Sequence, residues 1–184
     1  MLTEINGPVV KSFIKGKYGD IIDCEFGINP KTKITSWNNT VHLWLKYNVF
    51  LRMININHPM CLNNFGLASL MTFMLSAFWH GFYPTYYIFF FIFFIYQTAN
   101  EKFDKLGFYV WCRTGSFLKR IPIGIFSQFM VNALGAIIFN LQWELFIQFM
   151  KNVYWSPIII VLILYAFSKT IKFPKKKTDK HKQA

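Results

Sequence analysis

The sequence predicts an all-α fold: a polytopic membrane helical bundle of about four transmembrane helices, preceded by an interfacial amphipathic helix. Three observations predict it. More than half of the residues are hydrophobic (54%), with 22 Phe alone, so a large apolar surface has to be placed somewhere. From Met53 to Asn100 the chain runs 48 residues without an Asp, Glu, Lys or Arg, while a spanning helix needs about 20 mostly apolar residues. Finally, the charges collect in alternate loops, which is the pattern a bilayer imposes.

The elements follow in order. Residues 1–61 form a polar segment whose end, around Ser36 to Arg52, mixes Trp44, Val41 and Leu45 with Lys46 and Arg52 as an interfacial helix does. Residues 62–171 form the bundle, and 172–184 a basic tail. The long uncharged run holds two spans, near 62–81 and 84–98, broken between Gly81 and Pro84. Two further charge-free stretches predict spans near 122–143 and 154–171.

The loop charges orient these spans. The segment up to Arg52 carries seven basic against four acidic residues, 101–120 five against two, and the tail from Lys169 seven Lys against Asp179 alone. The turn at 82–84 has no charge and 144–153 only Glu144 and Lys151. Basic flanks stay cytosolic, so both termini are expected there.

The net charge of +12 is therefore mainly a topology signal. Nucleic-acid binding is set aside, because the basic residues are divided among three loops with no zinc-ligand spacing or nucleic-acid fold motif. The Lys-rich tail suits anionic headgroups, and serves equally as a solvated stop-transfer flank. Its last five residues, KHKQA, match a dilysine retrieval pattern and so predict the endoplasmic reticulum membrane. Met1 to Lys33 lacks the apolar core of a cleaved signal peptide. Cys24, Cys61 and Cys112 are isolated and odd in number, which suggests neither a disulfide framework nor a metal site.

His80, in SAFWHGFYP, is a titratable residue inside an apolar span, and such residues are functional candidates that generally face a bundle interior or cavity. Ser76 lies one turn back on the same face, and Ala77 with Gly81 forms a small-xxx-small pair that admits another helix. A tightly packed polar face of this kind would shield a base from bulk water. The alternative is a structural histidine bonded across helices. In SWNNTVHLWLKYNVFLR, Asn38 and Asn39 stand at a helix start, where Asn caps backbone donors.

WNNTVHLWLKYNVFLR, followed 24 residues after Arg52 by SAFWHGFYPTYY, resembles the signature of the membrane-bound O-acyltransferase family, lysophospholipid acyltransferase branch. There a Trp-Asn pair precedes a Trp-Leu, and a Ser-Ala-x-Trp-His-Gly motif leads into Pro-Gly-Tyr-Tyr. Trp37 and Asn38 match the pair and His80 the family histidine; Thr85 stands where the branch usually has Gly. Members are usually more than twice this long, so the chain looks like the C-terminal catalytic portion.

The resemblance implies acyl transfer from acyl-CoA, as co-substrate, to the hydroxyl of a lysophospholipid, with no cofactor and no metal. His80 is then the general base, and Asn38 orients the attacking hydroxyl or the thioester carbonyl. Trp37, Trp79, Ser76 and His42 are substrate-binding candidates of lower rank. His42, one turn from Asn38, reads equally as an interfacial histidine. A Gly-x-Ser-x-Gly elbow is absent, which favours direct transfer over an acyl-enzyme. The expected partners are acyl-CoA, lysophospholipid and the bilayer, with self-association or an N-terminal companion polypeptide completing the chamber. Three other readings stay open: a diacylglycerol or sterol acyltransferase, a channel or transporter piece, and an inactive fragment or scaffold.

Overall fold

The computed structural model describes residues 21–55, 61–62, 64–114 and 117–171. The basic tail and its dilysine pattern lie outside them, as do residues 1–20. Among the described residues every regular element is helical. These are α1 Ile21–Phe26, α2 Pro30–Trp37, α3 Asn39–Leu45, a π-helical turn Lys46–Phe50, α4 Leu51–Ile54, α5 Phe65–His80, α6 Pro84–Lys105, α7 Phe108–Thr114, α8 Phe117–Phe139, α9 Trp143–Asn152 and α10 Ser156–Thr170.

Local chemistry sets the boundaries. The Asn29, Asn38 and Asn64 side chains cap α2, α3 and α5, accepting from the N–H groups of Lys31, Val41 and Leu67 at 2.9, 3.2 and 3.0 Å. Each satisfies a donor that the first helical turn leaves without a partner. α5 stops at Gly81, whose φ of 130° is open essentially only to glycine; its N–H returns to the Ala77 and Phe78 carbonyls, both at 3.2 Å. Pro84 then opens α6 in the first turn, where its missing N–H costs nothing.

α6 is the centre of the bundle. Its buried residues, Thr85, Phe89, Phe90, Ile92, Phe93, Tyr96, Ala99 and Asn100, recur at helical spacing. Around them pack Ala77 of α5, Met130, Leu134 and Ile137 of α8, Phe146 and Met150 of α9, and Val161 of α10. Rings interlock along the α5–α6 hairpin, Phe73 meeting Phe93 and Phe94 at 6.0 and 5.9 Å between centroids. At the far end of α6, Lys102 Nζ donates to the Ser168 carbonyl at 3.0 Å. Tyr109 of α7 donates to Asn100, whose amide in turn reaches the Tyr96 carbonyl at 2.8 Å.

The predicted spans overlap α5, α6, α8 and α10, with differences that have physical causes. α6 runs on to Lys105 because Gln97 to Lys105 continue the helix beyond the apolar part. α8 starts before Pro122, which lies inside the helix and leaves the Leu118 carbonyl without its i+4 donor. By length and apolarity only Arg120–Phe139 is a membrane span on its own among the described residues, and α5 is a shorter apolar helix.

The stretch 144–153, expected as a loop, is the amphipathic helix α9. It is followed by Tyr154 and Trp155 at φ 53° and 55°, a left-handed turn that bends the chain 72° into α10. Together α9 and α10 have the length and apolarity of one span broken at this turn.

Candidate functional site

The segment after Asn38 lies along α5. Val49 and Met53 pack on Ala68, Phe50 meets Phe65 edge-on at 5.0 Å, and Trp44 meets Trp79 at 6.3 Å. The π-helical turn makes this register possible. Leu51 N–H bonds the Lys46 carbonyl, five residues back, and the Asn48 side chain takes up the Trp44 carbonyl at 3.0 Å. The widened turn rotates Val49 and Met53 toward α5 while Trp44 stays in reach of Trp79.

The two sequence motifs thus meet at Trp44 and Trp79. Asn38 stands six residues before one of these rings, and His80 is the neighbour of the other. No hydrogen bond joins Asn38 to His80 among the described residues.

His80 ends α5. Its ring lies 5.5 Å from Tyr86 and 5.2 Å from Phe90, centroid to centroid. These rings are one turn apart on α6 and flank the imidazole from one side. Its other side is open, and His80 is exposed. The expectation of a base enclosed by a tight bundle is corrected here: the last residue of a helix, followed by a Gly turn, has no following turn to cover it. Ala77 is fully buried in the core, as a small residue at a helix contact should be. Ser76 is half-buried, whereas Trp79 is 77% exposed and Phe78, Phe82 and Tyr83 add to the aromatic rim.

Asn38 is the single non-helical residue between α2 and α3, with φ −141° and ψ 75°. Its Oδ1 is occupied in capping, so the group it offers a ligand is the amide NH₂. Trp37 is 76% exposed and makes no ring contact among the described residues. His42 is half-buried in α3, on the interfacial segment. Burial first, then the positive charges of Lys46 and Lys31, push its pKa below the ordinary histidine value.

Two parts of the site escaped the sequence reading. Tyr86 and Phe90 were legible only as members of an aromatic run, although their four-residue spacing after the turn at Gly81 places them opposite His80. Between the π-turn and α5 lies an apolar groove of about 420 Å³ lined by Val49, Met53, Met71, Met74, Leu75 and Phe78. Its lining joins the two motif segments, and no local pattern announces it. Among the described residues no three His, Cys, Asp or Glu side chains gather as metal ligands.

Comparison with known proteins agrees with the motifs. A lysophospholipid acyltransferase of Saccharomyces cerevisiae is 35% identical over 86 residues, 47% of this chain and 13% of that protein. Lysophospholipid acyltransferase 6 of Drosophila melanogaster is 35% identical over 69 residues, 38% of this chain and 8% of that protein. The chain therefore aligns with only a small part of either relative. The profile of the MBOAT, membrane-bound O-acyltransferase, family matches residues 20–143, which include both motif segments, the Gly81 turn and α6 to α8. With both motifs inside that match, and the helix that follows Trp37-Asn38 meeting the Trp79-His80 end of α5 at Trp44, this chain belongs to the membrane-bound O-acyltransferase family.

Proposed function

We propose that the chain carries the catalytic residues of an acyl-CoA-dependent lysophospholipid acyltransferase. The observation that carries this reading is the meeting of the two motif segments at Trp44 and Trp79, beside an apolar groove of acyl-chain character. The names of the two relatives support the lysophospholipid as acceptor over diacylglycerol or a sterol.

In the proposed reaction, neutral His80 accepts the proton of the lysophospholipid hydroxyl as that oxygen attacks the thioester carbon of acyl-CoA. The new C–O bond forms and the carbonyl π pair moves onto oxygen. The Asn38 amide orients the hydroxyl or donates to the developing oxyanion. Collapse breaks the C–S bond, and the leaving thiolate takes the proton from His80. The imidazole returns to its starting state, so neither a covalent acyl-enzyme nor a metal is required. Trp79, Ser76, Trp37 and His42 fall to binding roles around this centre. The acyl chain lies in the Met-lined groove, since methionine adapts to flexible apolar ligands.

The open side of His80 and its rim of Phe78, Trp79, Phe82 and Tyr83 suit a covering surface, supplied by a companion polypeptide or a second copy. The proposed location is the endoplasmic reticulum membrane, with both termini cytosolic. Glycosylation tags at either end should then stay unmodified, and a tag inserted at 141–142 should be modified. That position precedes α9 and spares Phe146 and Met150, which are buried in the core. A glycosylated C-terminal tag would show that the number of spans is off by one.

The reaction is tested by offering labelled acyl-CoA and a panel of lysophospholipids to membranes that lack endogenous activity. His80→Ala should lower turnover by about 10²–10⁴, the usual contribution of a general base, with insertion unchanged. Near-parental turnover in that variant refutes the assignment, and preferential acylation of diacylglycerol or sterol moves the chain to another branch.

A further inference from the structure

We propose that Lys33 and Gln128 are positioning residues for Asn38, their contact clamping α2 onto α8 and thereby setting where Asn38 stands relative to the His80 end of α5. The inference rests on the role given to Asn38 above.

Lysine is almost never fully buried unless paired, yet Lys33 is 1% exposed. Its Nζ donates to the carbonyls of Cys24 at 3.2 Å and Glu25 at 2.6 Å, and to Gln128 Oε1. The Gln128 amide continues the network to Glu25 Oε2 at 3.3 Å and Asn132 Oδ1 at 3.2 Å. A single ammonium therefore closes a junction of α1, α2 and α8 across 95 residues of sequence.

The other lysine of the same helix shows the contrast. Lys31 reaches Glu101 only at 3.9 Å, with the two side chains 51% and 35% exposed, a surface pair of little worth. Gln128 lies inside the span Arg120–Phe139, about 12 Å along it at a helical rise of about 1.5 Å per residue. The contact thus joins α2 to the helix that by length and apolarity is a span on its own among the described residues.

Its consequence falls on Asn38. α2 ends at Trp37 and α3 begins at Asn39, so Asn38 is a one-residue joint between two short rods. One rod is anchored at Lys33, five residues before the joint. The other is anchored at Trp44, six residues after it, on the ring next to His80. A joint fixed from both sides holds its amide in one place; released from one side, it swings with the free rod. Misplacements of about 1 Å cost on the order of 10²-fold in rate.

The test uses Lys33→Met together with Gln128→Leu, which removes the side-chain bridge between α2 and α8 with groups of similar size; because the Cys24 and Glu25 carbonyls lose a donor, only variants that insert are scored. The first readout is thiol crosslinking between Lys31→Cys on α2 and Glu101→Cys on α6, whose side chains meet at 3.9 Å on the surface, with Cys24, Cys61 and Cys112 replaced. The second is kcat and KM for lysophospholipid without the added cysteines. The clamp predicts a several-fold lower crosslinking yield and a kcat reduced on the order of 10²-fold with KM little changed, while Lys33→Arg, which keeps charge and donors, recovers most of both. Parental crosslinking or parental kcat in an inserted double variant overturns the proposal. Should the parent chain transfer no acyl group, the acyltransferase reading is what has failed, and the crosslinking yield alone decides the clamp.

Discussion

α5 and α6 are consecutive apolar helices joined by one short turn, and they are used in opposite ways. α6 buries eight residues among α5, α8, α9 and α10, whereas α5 buries only Ala68 and Ala77. Hydrophobicity does not explain the difference, since the less buried α5 is apolar almost throughout with Phe, Leu and Met, while α6, rich in Phe, Ile and Tyr, ends in Glu101, Lys102, Asp104 and Lys105. In lipid there is little gain from moving a methyl group from acyl chains into protein; shape complementarity and small residues decide which helix lies inside. α6 became the core, and α5 kept a free side that ends in the Phe78-Trp79-His80 rim. The proposed chemistry falls on the less buried helix, whose His80 ring packs against Tyr86 and Phe90 of the more buried one.

The largest effect that would break this division concerns the joint resting beside α5. Asn38→Asp keeps the capping oxygen and removes the amide donors. It should leave helicity unchanged and reduce acyl transfer by about 10²-fold, the low end of what loss of one oxyanion donor costs. Asn38→Ala adds a capping loss of about 1 kcal/mol. Equal activity in Asn38→Asp and the parent would leave Asn38 a cap and nothing more.

Next in size is a matched pair of deletions. Phe93 on α6 is 3% exposed and Phe78 on α5 is 55% exposed. Phe93→Ala should lower unfolding stability in detergent toward the lower end of roughly 3–5 kcal/mol, and Phe78→Ala by less than about 0.5 kcal/mol. Similar losses at both positions would erase the contrast between the helices.

The smallest effect sharpens the comparison at α3. His42 has its pKa held below the ordinary value of 6.5, by burial first and then by Lys46 and Lys31. The folded segment therefore favours neutral imidazole, while the unfolded one binds a proton more readily. Stability from this source is present above pH 6.5 and falls as the pH drops below it. Unfolding stability in detergent should fall in that acidic range, and His42→Gln should flatten the dependence. An unchanged slope would remove His42 from the docking of α3.

The local parts of this molecule were legible in residues close together in sequence. Apolar runs without charge marked α5, α6, α8 and α10; Asn38 announced the start of α3; Gly81 and Pro84 marked the turn after His80; the Trp-Asn and Trp-His-Gly motifs indicated the family. Each of these depends on interactions within about one helical turn, which sequence order preserves. α9 was missed because Glu144 and Lys151 marked 144–153 as a loop between spans, while Phe146 and Met150 found the core.

What the sequence by itself determined is therefore the all-α class, the helix-forming stretches and the identity of the motif residues. Which side of each helix faces inward was decided only by the tertiary structure, because helices apolar all round carry no periodic mark of their buried face. The same holds for the Trp44–Trp79 meeting, the Tyr86 and Phe90 rings beside His80, the open flank of that imidazole and the burial of Lys33 against Gln128. A contact between positions 95 residues apart leaves no trace in the spacing of either neighbourhood, and it forms only when packing brings a donor and its acceptors together.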